Sequence, residues 1–206
     1  RFNTCGDYSV MLKTKIEDQN LIFTDDAIII VENTIDNLHC GIELMMNWES
    51  GLMKRHAELV CENGGDVLEI GFGMGISANF IQELNPDSHT IVESHPQIIE
   101  KLKEWAADKP NVIVVEGRWL DVIDQLGVYD GVFYDTFGDD DYLKFGPESV
   151  KFTKPGSIVT AWNAVSQPNQ NLYGFTGNVT YEEIDVTPPD NGYFFGNKYY
   201  LFKVVV

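Results

Sequence analysis

Hydrophobic positions along the chain fall into short strand-like runs separated by helical periods, an alternation that predicts a layered α/β fold. Residues 67–70 suit a buried parallel strand. Three alternate glycines, Gly71, Gly73 and Gly75, then free the backbone for a tight turn into a helix over 76–84, which Asn85, Pro86 and Asp87 stop. A second strand over 89–92 has Glu93 at its end. An amphipathic helix over 96–107 and a third strand over 112–115 follow, and residues 117–121 are expected to start another helix. Residues 130–137 form a hydrophobic strand that ends in a carboxylate, Asp135, and 157–162 form one more strand, closed by Asn163. Between the last two runs, 180–186 and 199–206, no helical pattern intervenes, so they are expected to pair antiparallel at the sheet edge.

Upstream, residues 8–16 and 21–31 carry strand-like positions on either side of a polar turn at 17–20, which predicts an N-terminal β-hairpin. Met45, Trp48 and Leu52 recur at helical spacing ahead of a helix that ends before Asn63-Gly64-Gly65, and this spacing marks them as core. The expected fold class is α/β and Rossmann-like: a mostly parallel twisted sheet with antiparallel C-terminal strands and an N-terminal β-hairpin extension. A chain of 206 residues suits one domain over 1–206, with the extension over 1–43 and the core over 44–206.

Composition narrows the partners. The 14 basic and 32 acidic residues leave a formal charge of -18, a poor match for nucleic acid or an anionic membrane and a natural one for a cationic substrate. Three cysteines without metal-like spacing argue against a disulfide framework and for a reducing, cytoplasmic setting, and no metal site is expected. No apolar run reaches membrane-spanning length, and no basic-then-apolar leader is expected.

The glycine loop carries the first chemical signal. A dinucleotide fingerprint needs a small residue where Ile76 stands, and no Gly-Lys-Ser/Thr follows to cradle phosphate, so nicotinamide and Walker-type sites are disfavoured. An acidic strand residue, Glu69, followed by Gly71, Gly73 and Gly75, resembles the first motif of class I S-adenosylmethionine-dependent methyltransferases. Glu93 stands 24 residues past Glu69, near the distance at which a strand-helix-strand unit places a carboxylate on ribose hydroxyls. Trp119 and Leu120 offer an adenine ring an apolar wall. Asp135, at a carboxyl strand end, faces the ligand crevice, whereas the acidic run 139–141 reads as a solvated loop.

Taken in order, Trp48-Glu49 with Met45 and Met53, the Gly71-Phe72-Gly73-Met74 loop, Gly117-x-Trp119 and Tyr134-Asp135-Thr136 resemble guanidinoacetate N-methyltransferase. They look even more like the fungal arginine δ-N-methyltransferases. The resemblance covers roughly 45–163. It implies a single methyltransferase domain with S-adenosyl-L-methionine as cofactor, S-adenosyl-L-homocysteine as product, and a small cationic guanidino substrate. It further implies cofactor contacts from Met45, Met53, Glu69, Gly71, Phe72, Gly73, Met74, Gly75, Ile76, Glu93, Ser94, His95, Trp119, Leu120 and Asp135. Glu49 and Asp135 would grip the guanidino group, and the backbone of Ala164 and Val165 would hold an acceptor carboxylate. A guanidinium has a pKa of about 13, so it needs carboxylates to orient it and take its proton, with Asp135 as the expected acceptor. The expected acceptor is a free small molecule such as guanidinoacetate. The alternatives are protein arginine methylated at the δ nitrogen, a non-catalytic cofactor-binding scaffold, and, more distantly, aminopropyl transfer.

Overall fold

The computed structural model describes residues 15–35, 38–168, 172–175, 179–190 and 193–206. Two sheets carry the fold. The smaller is an antiparallel meander of β1 (Leu21–Phe23), β2 (Ala27–Ile35) and β3 (Leu38–Met46). The N-terminal extension is thus antiparallel as expected, with different strands. The expected arm over 8–14 lies outside the described residues, and Ile16–Asp18 forms a 3-10 turn. The expected strand over 21–31 is broken by a tight turn in which Thr24 N donates to Ala27 O at 2.9 Å and the Thr24 hydroxyl accepts from Ala27 N at 2.9 Å. A threonine followed by two aspartates competes too well for local backbone groups to stay in a strand.

The larger sheet comprises β4 (Asp66–Ile70), β5 (Ser88–Glu93), β6 (Val112–Glu116), β7 (Tyr129–Tyr134), β8 (Thr153–Ala161), β9 (Val179–Asp185) and β10 (Lys198–Val205), in the order β6-β5-β4-β7-β8-β10-β9. The pairs β4–β5, β5–β6, β4–β7 and β7–β8 are parallel, and β10 runs antiparallel between β8 and β9. Chain order reverses direction at β4 and β7, so the crevice beyond their carboxyl ends is the expected place for a ligand. Helices α1 (Ser50–Val60), α2 (Ile76–Glu83) and α3 (Pro96–Ala106) follow the predicted periods closely. Residues 117–121 do not begin an α-helix. Trp119, Val122 and Ile123 mimic a helical spacing but reach one core cluster from turns and a short 3-10 segment, Ile123–Gln125.

Packing joins the two sheets. Ile28 and Ile30 of β2 are buried in one cluster with Phe72, Ile91, Ile98 and Leu102, so the meander rests on the glycine loop and α3. Burial of each such isoleucine is worth about 1.5–3 kcal/mol, enough to hold the extension over the crevice. Among the described residues no helix is long and apolar enough to cross a membrane.

Candidate functional site

A cavity of about 310 Å³ opens at the carboxyl ends of β4, β5 and β7. Its floor is the glycine loop. Gly71 adopts φ +94, and a Cβ there would stand 1.9 Å from the backbone oxygen of Asp135, so only glycine lets the loop meet the end of β7. Hydrogen bonds from Gly71 N to Val92 O (2.8 Å) and from Asp135 N to Ile70 O (2.9 Å) stitch the loop to both neighbouring strand ends. Met45, at the end of β3, lies across the loop, where its sulfur accepts from Met74 N at 3.2 Å.

Glu93 is buried beside this floor. Its carboxylate accepts from three backbone N–H groups, Phe72 (2.9 Å), Ser94 (2.7 Å) and His95 (2.8 Å). Burial nevertheless pushes its carboxyl above the usual carboxylate range, the three bonds acting against the shift. Three bonds leave one of about four lone-pair sites for a ligand hydroxyl. Glu69 does not line the cavity. It is fully buried beneath the loop, where it accepts from the Ser77 hydroxyl and meets His89 Nε2 at 3.0 Å, so it braces α2 against β4 and β5.

One end of the cavity is walled by Ile98, Trp119 and Phe137 and capped by Ile16 and Glu17 of the N-terminal turn. Here the acidic run departs from its expected solvated state. Asp139 accepts from Trp119 Nε1 (2.6 Å), the Tyr134 hydroxyl, Arg118 (3.1 Å) and Asp141 N (2.9 Å), and its side chain is 8% exposed. Arg118 continues the network to Glu17 and Asp141. His95 caps α3: its Nδ1 accepts from Gln97 N, so the proton sits on Nε2 and is donated to Gln19 O at 3.0 Å.

The opposite end holds the two remaining carboxylates. Glu49 lies in the 3-10 turn Asn47–Glu49 between β3 and α1 and is 1% exposed; its Oε1 accepts from Met46 N at 2.9 Å, and the Tyr193 hydroxyl donates to the same carboxylate. Burial, and then the charge of Asp135, push its carboxyl up to about 8. Asp135 follows β7 directly. Burial and the Glu69 charge push it up to about 7. Both groups therefore sit near neutral pH, where a carboxyl can take or release a proton. Trp162, Tyr173, Ala164 and Tyr193 complete the wall.

This wall is pinned from behind by a chain of buried polar groups. Thr160 Oγ1 donates to Phe202 O (2.6 Å) and so accepts from His56 Nδ1 (2.9 Å); Asn163 N donates to the Tyr199 hydroxyl (2.9 Å), which donates to His56 Nε2 (2.8 Å). The pattern fixes His56 as the neutral Nδ1–H tautomer, and burial lowers its pKa to about 3.

Of the residues expected from sequence, Met45, Glu49, Gly71, Phe72, Gly73, Glu93, Ser94, His95, Trp119, Asp135 and Ala164 share the cavity wall. Met53, Glu69, Met74, Gly75, Ile76 and Leu120 do not line it. Val165 is off the wall as well, and its N–H is already donated to Asn163 Oδ1 at 3.3 Å. Sequence reasoning missed Glu17, Asp139, Tyr173 and Tyr193. Only Asp139 had a local signal, an acid four residues after Asp135.

Comparison with known proteins places these observations. Residues 25–166 match the family model described as guanidinoacetate N-methyltransferase. A Candida glabrata protein named protein arginine N-methyltransferase 2 is 34% identical over 196 residues, covering 89% of this chain and 44% of that protein. The chain thus spans less than half the length of that relative. Among solved structures, spermidine synthase from Thermotoga maritima shares the fold with a TM-score of 0.61 and 12% identity, covering 90% of this chain and 71% of that one. A putative methyltransferase complexed with SAH has a TM-score of 0.59 at 14% identity, covering 93% and 57%. At such identities the likeness speaks for the fold alone.

Proposed function

Because this chain belongs to the guanidinoacetate N-methyltransferase family, we propose that it is an S-adenosylmethionine-dependent N-methyltransferase acting on the guanidino group of arginine within a protein. One observation carries the reading: Glu49 and Asp135, two carboxyls near neutral pKa, line the same cavity as the glycine loop and Glu93.

The cofactor fits the residues present. A floor that admits no Cβ at Gly71, the Glu93 carboxylate with a free lone pair, and the apolar wall of Ile98, Trp119 and Phe137 match a backbone-held amino acid tail, a ribose and an adenine. When bound, S-adenosylmethionine supplies an electrophilic methyl group on a sulfonium. The chain's own part is to hold the acceptor. Glu49 and Asp135 grip a planar guanidinium by charge-assisted hydrogen bonds and present one nitrogen to the cofactor end. Deprotonating a guanidinium of pKa about 13 in water at pH 7 costs roughly 8 kcal/mol. Asp135, at the strand end nearest the glycine loop, takes the proton as the new N–C bond forms, and Glu49 keeps the other nitrogens aligned.

The far wall supports one choice of acceptor class. A free guanidino acid needs a partner for its carboxylate. Arg118, the one Lys or Arg among the described lining residues, is engaged by Glu17, Asp139 and Asp141, and Val165 N–H is engaged by Asn163, which leaves the Ala164 backbone as the remaining expected contact and no cation to pair with the carboxylate. An arginine inside a polypeptide has no such carboxylate to satisfy, and the Candida glabrata relative is named for that substrate. These points favour protein arginine over the small molecule expected from sequence, and the resemblance makes the δ nitrogen the expected position. The test is methyl transfer from labelled cofactor to a panel of guanidinoacetate, free arginine, agmatine and an arginine-rich protein, with mass spectrometry of each product. Label in the protein is expected. Label confined to guanidinoacetate or free arginine would overturn the acceptor, and absence of cofactor binding at millimolar concentration would overturn the whole reading.

A further inference from the structure

Tyr193 comes from the connection between β9 and β10, far in sequence from Glu49, yet its ring and hydroxyl stand beside that carboxylate. Its ring packs edge-on against Trp48, with centroids 6.4 Å apart, and lies 6.4 Å from Trp162, which also lines this end of the cavity. Its hydroxyl donates to Glu49, whose Oε1 also accepts from Met46 N at 2.9 Å.

We propose that Tyr193 is the positioning residue of the acceptor site: its hydroxyl holds Glu49 as a hydrogen-bond acceptor aimed into the cavity, while its ring and Trp162 close an aromatic wall around the bound cation. The proposal rests on Glu49 and Asp135 forming the guanidino clamp.

The physical case begins with what Glu49 faces. Asp135 presses on it from the end of β7 and disfavours its ionised form, as burial does. On the other side its hydrogen bonds come from the Met46 N–H and the Tyr193 hydroxyl, with Tyr199 behind them committed to His56 and Asn163. A protonated Glu49 would offer a guanidinium an O–H donor, which clashes with a group that has only donors. Charge-assisted O–H···O⁻ bonds are about twice as strong as neutral ones, so the phenol offsets part of the push from burial and Asp135 and favours the carboxylate once a cation is bound. The Tyr193 phenol is itself held well above its ordinary pKa by burial and the nearby carboxylates, and remains a donor throughout the working range. The two aromatic faces then add cation–π attraction for a flat cation and reject an anion.

The experiment uses the full chain with Tyr193→Phe, which keeps the ring and deletes the hydroxyl. Cofactor affinity by calorimetry is expected to stay within about twofold. KM for an arginine peptide is expected to rise about tenfold or more with kcat changed less, and the acid limb of kcat/KM should move to higher pH. In a Glu49→Gln background the same hydroxyl deletion should add nothing, since its effect runs through Glu49. A readout independent of turnover is the 13C-carboxyl titration of Glu49 by NMR, assigned by its loss in Glu49→Gln; its midpoint should rise in Tyr193→Phe. An unmoved midpoint, or equal KM effects with and without Glu49, would overturn the assignment of Tyr193. A wild-type chain that methylates no guanidino compound, with a Glu49 midpoint that does rise in Tyr193→Phe, would overturn the clamp's function instead.

Discussion

Binding of a guanidinium should expel protons from this protein, by an amount that the site itself sets. With pKa values near 8 and 7, Glu49 and Asp135 together hold about 1.4 protons at pH 7, roughly 0.9 on the first and 0.5 on the second. A cation clamped between them favours both as carboxylates, so about that many protons should leave on binding. At pH 9 the pair holds only about 0.1, and the release should nearly vanish. The same linkage makes affinity rise roughly tenfold between pH 7 and pH 8, equivalent to about 1.4 kcal/mol. The assay is calorimetric titration of an arginine peptide into the complex with S-adenosyl-L-homocysteine, which cannot turn over. It is run at fixed pH in phosphate and in Tris, whose heats of ionisation differ, so that the difference counts protons. Glu49→Gln should leave about 0.5 proton at pH 7. Equal heats in both buffers, with affinity flat from pH 7 to 9, would refute the reasoning, because the carboxyls would then be ionised before the cation arrives.

Other outcomes follow from the same geometry. Glu49→Gln and Asp135→Asn should each lower turnover by about 100-fold or more, and single-turnover rates should show Asp135→Asn acting mainly on the chemical step. Glu93→Gln should weaken cofactor binding about tenfold by calorimetry and also lower the melting temperature, because an amide cannot accept from Phe72, Ser94 and His95 together; unchanged values of both would contradict its placement. His56 binds its proton at about 3 in the folded chain and near 6.5 unfolded, so stability should be lost as pH falls below 6.5, by roughly 1.5 kcal/mol between pH 6.5 and 5. Urea titrations at the two pH values should show that slope, and His56→Gln should remove it.

Much of the sheet was legible because its strands are short runs rich in aliphatic and β-branched residues, bounded by turn residues. The strands at 67–70, 89–92 and 112–115 needed no partner to be recognised, and α2 and α3 were bounded by Pro86 and Pro96. The helix expected at 117–121 failed for a physical reason: Trp119, Val122 and Ile123 bury from turns, and spacing alone cannot separate a helix from a turn with the same inward positions. Glu49 and Asp135 were found through family resemblance, with Asp135 also marked by its strand end. Asp139 was misjudged because its partners Arg118 and Trp119 come from the loop after β6. Tyr193 was invisible for a similar reason, since only the pairing of β10 between β8 and β9 carries it to the turn before α1.

The contact between Gly71 and the backbone of Asp135 bears on how such a site can change its acceptor over evolutionary time. The distance from the cofactor loop to the proton-accepting carboxylate is set by main chain against main chain, at a point where a methyl group would lie 1.9 Å from the facing oxygen. Side-chain substitutions elsewhere cannot retune the main-chain part of it. Glu49, Tyr193 and Ala164, by contrast, arrive on three separate segments, each able to vary without disturbing that joint. Divergence of substrate should therefore accumulate on those segments, with the spacing between methyl donor and base inherited unchanged.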